Sequence, residues 1–377
     1  DEYGLYFQLH TVNYDLRYLH STESGWQLAA GLGGIWQQSE NRGDEYLIPA
    51  YSLFDAGLFA TASRRLGRWN LTGGVRGDLR SLDSHAQEDD GVRRFAPFKR
   101  HLTGLSASLG AVCNVTPQTD LRFNVSRGFR APNMSELGSD GIHEGTLRYE
   151  LGNANLKAEY SWQADLGIDY QRPMVEVQAS CFVNRIENYI FAHRIDLVVD
   201  PDLSTYTYTQ GDALLKGFEA SVDFHPVHQL HLANSFALVD ARQMHQPRTT
   251  RYLPLTPAPR WNADLKYEIT HQGRWLNNAY VAVGWDCYLA QNHYYMADNT
   301  ETRTPSYTLF NISAGADVFW SGHKVAELYL SVQNLFNRAY QNHLSRLKYA
   351  DVNAVTGQQG IYNMGRNISL KLILPIL

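Results

Sequence analysis

The 377-residue chain is short of several features that would place it in common classes. Charged residues make up only 19%, and a net charge of −5 offers no basic field for nucleic acid. Its three cysteines, Cys113, Cys181 and Cys287, are odd in number and far apart. That argues against a disulfide framework and against a clustered-cysteine zinc site. No apolar run approaches the ~18–20 residues of a spanning helix, which excludes a helical membrane protein. A membrane β-barrel survives this test, because its strands are apolar only at every second position. The opening DEYGLYFQLH lacks the charged and apolar regions of an export signal, so an exported form is expected to be mature or truncated here. No GxSxG, HExxH, P-loop or dinucleotide fingerprint occurs, and no carboxylate pair has a persuasive setting; an enzyme is not indicated.

What is present is alternation. Trp162, Ala164, Leu166, Ile168 and Tyr170 interleave with Gln163, Asp165, Gly167, Asp169 and Gln171. Trp261, Ala263, Leu265, Tyr267 and Ile269 interleave with Asn262, Asp264, Lys266 and Glu268. A sustained period of two means strands with one apolar and one polar face. Short turns (116–119, 172–174, 225–229, 271–274, 320–324) alternate with long polar loops (83–100, 130–157, 188–214, 243–257, 291–305, 338–360). Tight turns at one end and long loops at the other are how outer-membrane barrels are built. Trp26, Trp69, Trp275 and Trp320 fall beside short turns, and Trp36, Trp162, Trp261 and Trp285 toward long loops. Two interfacial aromatic girdles predict that split. Each cysteine shares the apolar parity of its strand and is expected to face lipid as an inert small hydrophobe.

The pattern gives about fifteen strands, among them Leu215–His225, Lys324–Asn337 and Ile361–Pro375. Bacterial barrels have even strand numbers. An odd count, with the first strand running from a long-loop end to a turn end, predicts that the start of the barrel is missing.

The densest motif region, Val125 to Gly167, carries two boxes. One reads Phe129-Arg130-Ala131-Pro132, followed by Glu136 and Leu137. The other reads Gly152-Asn153-Ala154-Asn155-Leu156-Lys157-Ala158-Glu159. They resemble the FRAP and GNPNLKPE boxes of TonB-dependent outer-membrane receptors, with both prolines of the second replaced by alanine. Ser331–Tyr349 is similar to that family's penultimate strand and its NLF(N/D) exit, and GRNISLKLILPIL resembles its closing strand, although the last residue is Leu377 rather than an aromatic. The resemblance implies an all-β transmembrane antiparallel barrel, partial here. Residues 1–377 would form the C-terminal ~15 of ~22 strands, without the N-terminal plug.

The family resemblance further implies active import of a scarce metal chelate, such as a ferric siderophore or haem, across the outer membrane of a Gram-negative bacterium. Its partners would be outer-membrane lipid, the receptor's own plug, the chelate itself and TonB, reached through the missing N-terminal region. No permanently bound cofactor is expected. His143 and Glu144 lie between the boxes. Haem receptors of the family carry a histidine in that interval, where an imidazole can ligate iron, and a histidine with a carboxylate can supply part of a zinc shell. The alternative is a solvated loop histidine. Arg127, Arg130 and Arg148 flank the same loop and could pair with an anionic chelate, or internally with Glu136, Glu144 or Glu150. His293, Tyr294 and Tyr295 form a second candidate cluster, suited to a flat ligand or to loop packing. His225, His228, His231, His271 and His323 bracket short turns and are not expected to capture ligand. Three rival readings remain: a zinc importer of the same family, a passive porin-like channel complete as given, and a soluble β protein.

Overall fold

The computed structural model describes residues 4–89, 91–269, 273–350 and 352–375; His271 and Leu377 fall outside them. In chain order the first strands are β1 (Phe7–Ser21), β2 (Trp26–Asn41), β3 (Tyr51–Leu66), β4 (Trp69–Ser84), β5 (Gln87–Asp89) and β6 (Val92–Phe95). β7 (Lys99–Thr116) and β8 (Thr119–Arg130) lead to a short helix α1 (Met134–Gly138), then β9 (Asp140–His143) and β10 (Arg148–Leu151). β11 (Glu159–Arg172), β12 (Val175–Arg194), β13 (Ser204–Val227), β14 (Leu230–Gln243) and β15 (Arg260–Ile269) follow. The last are β16 (Leu276–Tyr288), β17 (Tyr307–Trp320), β18 (His323–Gln333) and β19 (Asn367–Ile373).

Fifteen of these, β1–β4, β7, β8 and β11–β19, form one antiparallel wall in sequence order. The number agrees with the sequence. The short turns are tight because left-handed residues sit where two-residue hairpins need them: Ser321 and Gly322 have φ of 50° and 80° between the paired Trp320 and His323.

The two faces separate as the alternation predicts. Leu58, Leu109, Phe123, Trp162 and Leu166 stand exposed on one face. A continuous apolar exterior of this kind far exceeds what water-soluble monomers show. Asp55, Arg80, Asp169 and Asp286 lie on the other face, joined to neighbouring strands by hydrogen bonds such as Arg80–Asp55 and Asn311–Asp286. All eight tryptophans fall at the two ends of the wall as expected, with Trp275 and Trp320 in tilted contact at the turn end and Trp261 and Trp285 edge-to-face at the loop end. The three cysteines are free and share the outward parity.

Three expectations need correction. β12 and β13 run on to Arg194 and back from Ser204, so most of the expected loop 188–214 is strand. A bulge between Ile186 and Tyr189 shifts the register where this extension begins. β18 stops at Gln333 and β19 covers only Asn367–Ile373, shorter than expected, because 334–366 folds as an irregular loop.

The interior packing lies at the long-loop end. Leu53 and Leu82, on the polar face of β3 and β4, meet Met134, Leu137, Leu156 and Ile190 in one cluster. Ile186, Ala213, Ala241 and Leu253 form a second, with Tyr189 and Phe191 against it. Alternate residues at the base of the β12 extension thus join different clusters, whereas the hairpin tip, with Leu197, Val198 and Val199, is exposed.

Candidate functional site

The two sequence boxes fold into one lock beneath the loops. Arg130 ends β8 on the inward parity and holds Glu159 through Nε at 2.7 Å and Nη2 at 2.5 Å. Its Nη1 reaches both oxygens of Glu136 at 3.0 Å. Glu136 also closes the capping box of α1, accepting from the Asn133 N–H while Asn133 Oδ1 accepts from the Glu136 N–H. Glu159 Oε1 accepts from the Ile190 N–H as well, tying β12 to the same point. From the second box, the Gly152 and Asn153 amides donate to the carbonyls of Ser139 and Glu136. A Cβ at Gly152 would stand 2.5 Å from the Gly138 and Ser139 nitrogens, which explains a glycine there. Leu156 of this box is buried, and Arg100 donates to its carbonyl at 2.6 Å.

A luminal cavity of about 380 Å³ opens beside the loops, between β12–β17 and the 334–366 loop. Its wall is one row of the ladder: Glu219 is opposite Ala237, Ala237 opposite Arg260, Arg260 opposite Tyr288, and Tyr288 opposite Tyr307. Tyr288 and Tyr307 stack at 4.7 Å, and Tyr340 lies 4.8 Å from Tyr307. Asn342 Nδ2 donates to the Tyr307 hydroxyl at 3.1 Å, and His343 closes the far side. Arg260 is exposed into this space and makes no side-chain hydrogen bond or ion pair among the described residues. An unpaired guanidinium beside stacked phenols has the chemistry to hold a flat, anionic group.

Under the loops lies a buried polar knot. Glu301 accepts from the Leu255 N–H at 2.6 Å and the Tyr295 N–H at 3.3 Å, and faces His343 Nε2 at 3.5 Å. His343 Nδ1 bonds Thr304 Oγ1 at 2.8 Å. Lys348 Nζ donates to Thr304 Oγ1 at 2.6 Å and to the carbonyls of Thr302 and Arg303. Burial pushes the Lys348 amine down to about 8, against the opposing pull of Glu301. Burial, and then Glu301, pushes the Tyr349 phenol up.

These shifts set a pH response. Between about 8 and the usual lysine value, loops docked with neutral Lys348 bind fewer protons than released loops, so docking strengthens as pH rises. Above about 10, Tyr349 reverses the trend, because the docked phenol keeps its proton longer. The Tm of wild type minus that of Lys348→Met is expected to grow from pH 7.5 to about 9.5 in thermal melts. A constant difference would refute it.

The residues singled out from sequence do not converge. Arg127 is on the outward parity with Phe123 and Val125, its guanidinium 4.3 Å from the Tyr160 ring and 5.9 Å from Trp162. It does not face the lumen mouth. Arg148 pairs with Glu150 at 2.6 Å and sits 4.8 Å over Tyr206, and Arg130 is bound in the lock, so both are internally paired. Neither pairs with Glu144, which is exposed. His143 is half-buried, its Nδ1 without a hydrogen-bond partner. The second cluster splits along an extended segment: His293 stacks on Tyr252 at 4.6 Å beside Asp240, whereas Tyr295 is buried against Phe191 and Tyr294 is half-buried. Among the described residues, no three His, Cys, Asp or Glu side chains gather to hold a metal ion. Sequence reasoning missed the Arg260 row; the signal was Arg260 lying on the polar parity of Asn262 and Asp264 at a long-loop end.

Residues 2–335 match the family model described as TonB dependent receptor-like, beta-barrel. The structure is similar to a copper transporter, OprC, with a TM-score of 0.77 and 18% identity, over 97% of this chain and 56% of that one. It is also similar to the FrpB iron transporter from Neisseria meningitidis, with a TM-score of 0.70 and 16% identity, over 98% and 55%. A third likeness is to the ferric yersiniabactin uptake receptor FyuA from Yersinia pestis, with a TM-score of 0.65 and 16% identity, over 97% and 54%. The chain therefore spans a little over half the length of each of these structures.

Proposed function

This chain belongs to the TonB-dependent receptor β-barrel family, and on that premise we propose that it forms the C-terminal barrel portion of an outer-membrane importer of an anionic metal chelate. The odd number of wall strands and the half-length coverage of solved relatives support a larger whole, with a plug and further strands outside this chain. TonB supplies the energy through that outer part. The ligand is a chelate of the ferric catecholate kind, and the observation that carries this is the luminal row: unpaired Arg260 beside stacked Tyr288 and Tyr307. The guanidinium holds the negative charge and the phenols flank the flat ring.

The test is titration of the full-length receptor with a ferric catecholate. Arg260→Gln removes a charge-assisted hydrogen bond and is expected to weaken binding about 10- to 100-fold with the fold intact. Unchanged affinity would remove the chelate assignment. A second reading, haem or zinc import, rests on the unpartnered Nδ1 of His143 next to Glu144. Binding of haem or Zn²⁺ by the wild type and its loss in His143→Ala would favour that reading instead.

A further inference from the structure

The outward face is apolar over most of the height that lipid would touch; at the loop end some outward charges pair closely, as Lys99–Asp83 and Arg242–Asp240 do, while a group without such pairs lies on β8, β12 and β13. Arg127 on β8, Trp162 on β11 and Arg185 on β12 occupy one row, since Trp162 is opposite both arginines. Lys216 on β13 lies one step toward the turn end, opposite Val183. All share the parity of exposed Leu109, Phe123, Leu166, Val183 and Phe218. On the adjoining β14 the outward Asp240, opposite Lys216, and Arg242, opposite Leu214, pair with each other at 2.7 Å, and beyond them the outward Trp261, Trp285 and Phe310 carry no charge.

The three cations are poorly neutralised. Lys216 is exposed and makes no side-chain hydrogen bond or ion pair among the described residues. Among the described residues Arg127 finds only the Leu105 carbonyl and the rings of Tyr160 and Trp162. Arg185 reaches Asp212 at 4.0 Å, the outer limit of an ion pair. Asp240 is directly opposite Lys216 but is held by Arg242 at 2.7 Å, and the other carboxylates nearby, Asp212 and Glu187, lie one step further out toward the loops. Trp162 marks the headgroup level, where an indole is favoured. Cations at that depth with apolar strand beneath them want an anionic headgroup whose acyl chains cover the strand.

We infer that Arg127, Arg185 and Lys216, grouped around Trp162, form a binding site for the phosphate of a lipid in the leaflet on the long-loop side. The site rests on the outer-membrane reading of the barrel and is separate from chelate capture, being on the opposite face of the wall. A phosphate bridges the two guanidiniums across the Trp162 ring, and Lys216 reaches up to it from below. The Leu166–Phe218 surface takes the acyl chains.

Full-length receptor, reconstituted in phosphatidylcholine nanodiscs and then moved to detergent, would be titrated with bis-phosphorylated lipid A and followed by native mass spectrometry. With about a fivefold contribution from each cation, the Arg127→Gln/Arg185→Gln/Lys216→Gln variant is expected to bind about 100-fold more weakly. Lys216→Gln alone, at an exposed and unpartnered position, is expected to lose about fivefold and covers the case of a triple variant that fails to fold. Dephosphorylated lipid A is expected to bind both proteins weakly and equally, and inorganic phosphate not to compete at matched concentration. Equal retention of lipid A by wild type and variants, or retention that ignores the phosphates, would overturn the site. Ferric catecholate binding should be the same in wild type and variants. Failure of the wild type to insert into nanodiscs would instead strike at the outer-membrane reading itself.

Discussion

Replacing Arg130 with alanine is expected to free residues 131–158 from the wall and speed their proteolysis about 100-fold, with the barrel itself intact. Among the described residues the guanidinium alone joins Glu136 and Glu159, whose side chains are 12% and 10% exposed. Without it two nearly buried carboxylates share one space with no cation between them. Breaking a buried pair costs about 3–5 kcal/mol. Arg130 itself is 43% exposed, so water recovers part of this, and about 3 kcal/mol of local opening energy is the reasonable size. Because Glu159 also holds the Ile190 amide, the β12 extension should loosen with the loop. Arg130→Lys keeps the charge but loses the fork that serves both carboxylates, and a loss of about tenfold is expected. Limited proteolysis and hydrogen exchange across 131–158 would read both variants. Protection equal to wild type in Arg130→Ala would show that the boxes are held by the Leu137–Leu156 contacts and the Gly152 backbone instead.

That outcome bears on how far the sequence could be read. The wall was legible because a strand between lipid and lumen must alternate, and fifteen segments did. The β12–β13 extension was not, because Thr205, Tyr206, Thr207 and Tyr208 meet protein on both sides and no greasy face is needed. The boxes were recognised, but nearness to them was a poor guide to chemistry. Arg127 looked like a lumen-mouth cation because it is three residues from Arg130, yet counting by twos from Phe123 puts it outside. Arg260 illustrates the converse. Its parity could be read along β15, but Tyr288 and Tyr307 become its row-mates only through the register of three strands. The Glu301–His343–Lys348 knot had no readable signal, since its members come from two irregular loops without a period.

That knot supports the second large effect. Glu301→Ala is expected to raise hydrogen exchange of residues 253–256 and 294–304 by about 100- to 1,000-fold at pH 7. The carboxylate is the acceptor for the Leu255 and Tyr295 amides, and an unpaired buried donor costs about 1–3 kcal/mol. Its charge also faces the buried His343 and favours the protonated form of Lys348. A total of about 3–4 kcal/mol follows for local opening. Glu301→Gln separates the two contributions: an amide oxygen still accepts one of the backbone bonds, but the charge is gone. The charge contribution carries its own signature. Lys348 needs a counter-charge only while protonated, so the deficit of Glu301→Gln against wild type should shrink as pH rises past about 8, whereas the hydrogen-bond deficit of Glu301→Ala should largely persist. Thermal melts of the three proteins at pH 7 and pH 9 distinguish these cases. If the Glu301→Gln deficit were the same at both, Glu301 would act on these loops as a hydrogen-bond acceptor alone.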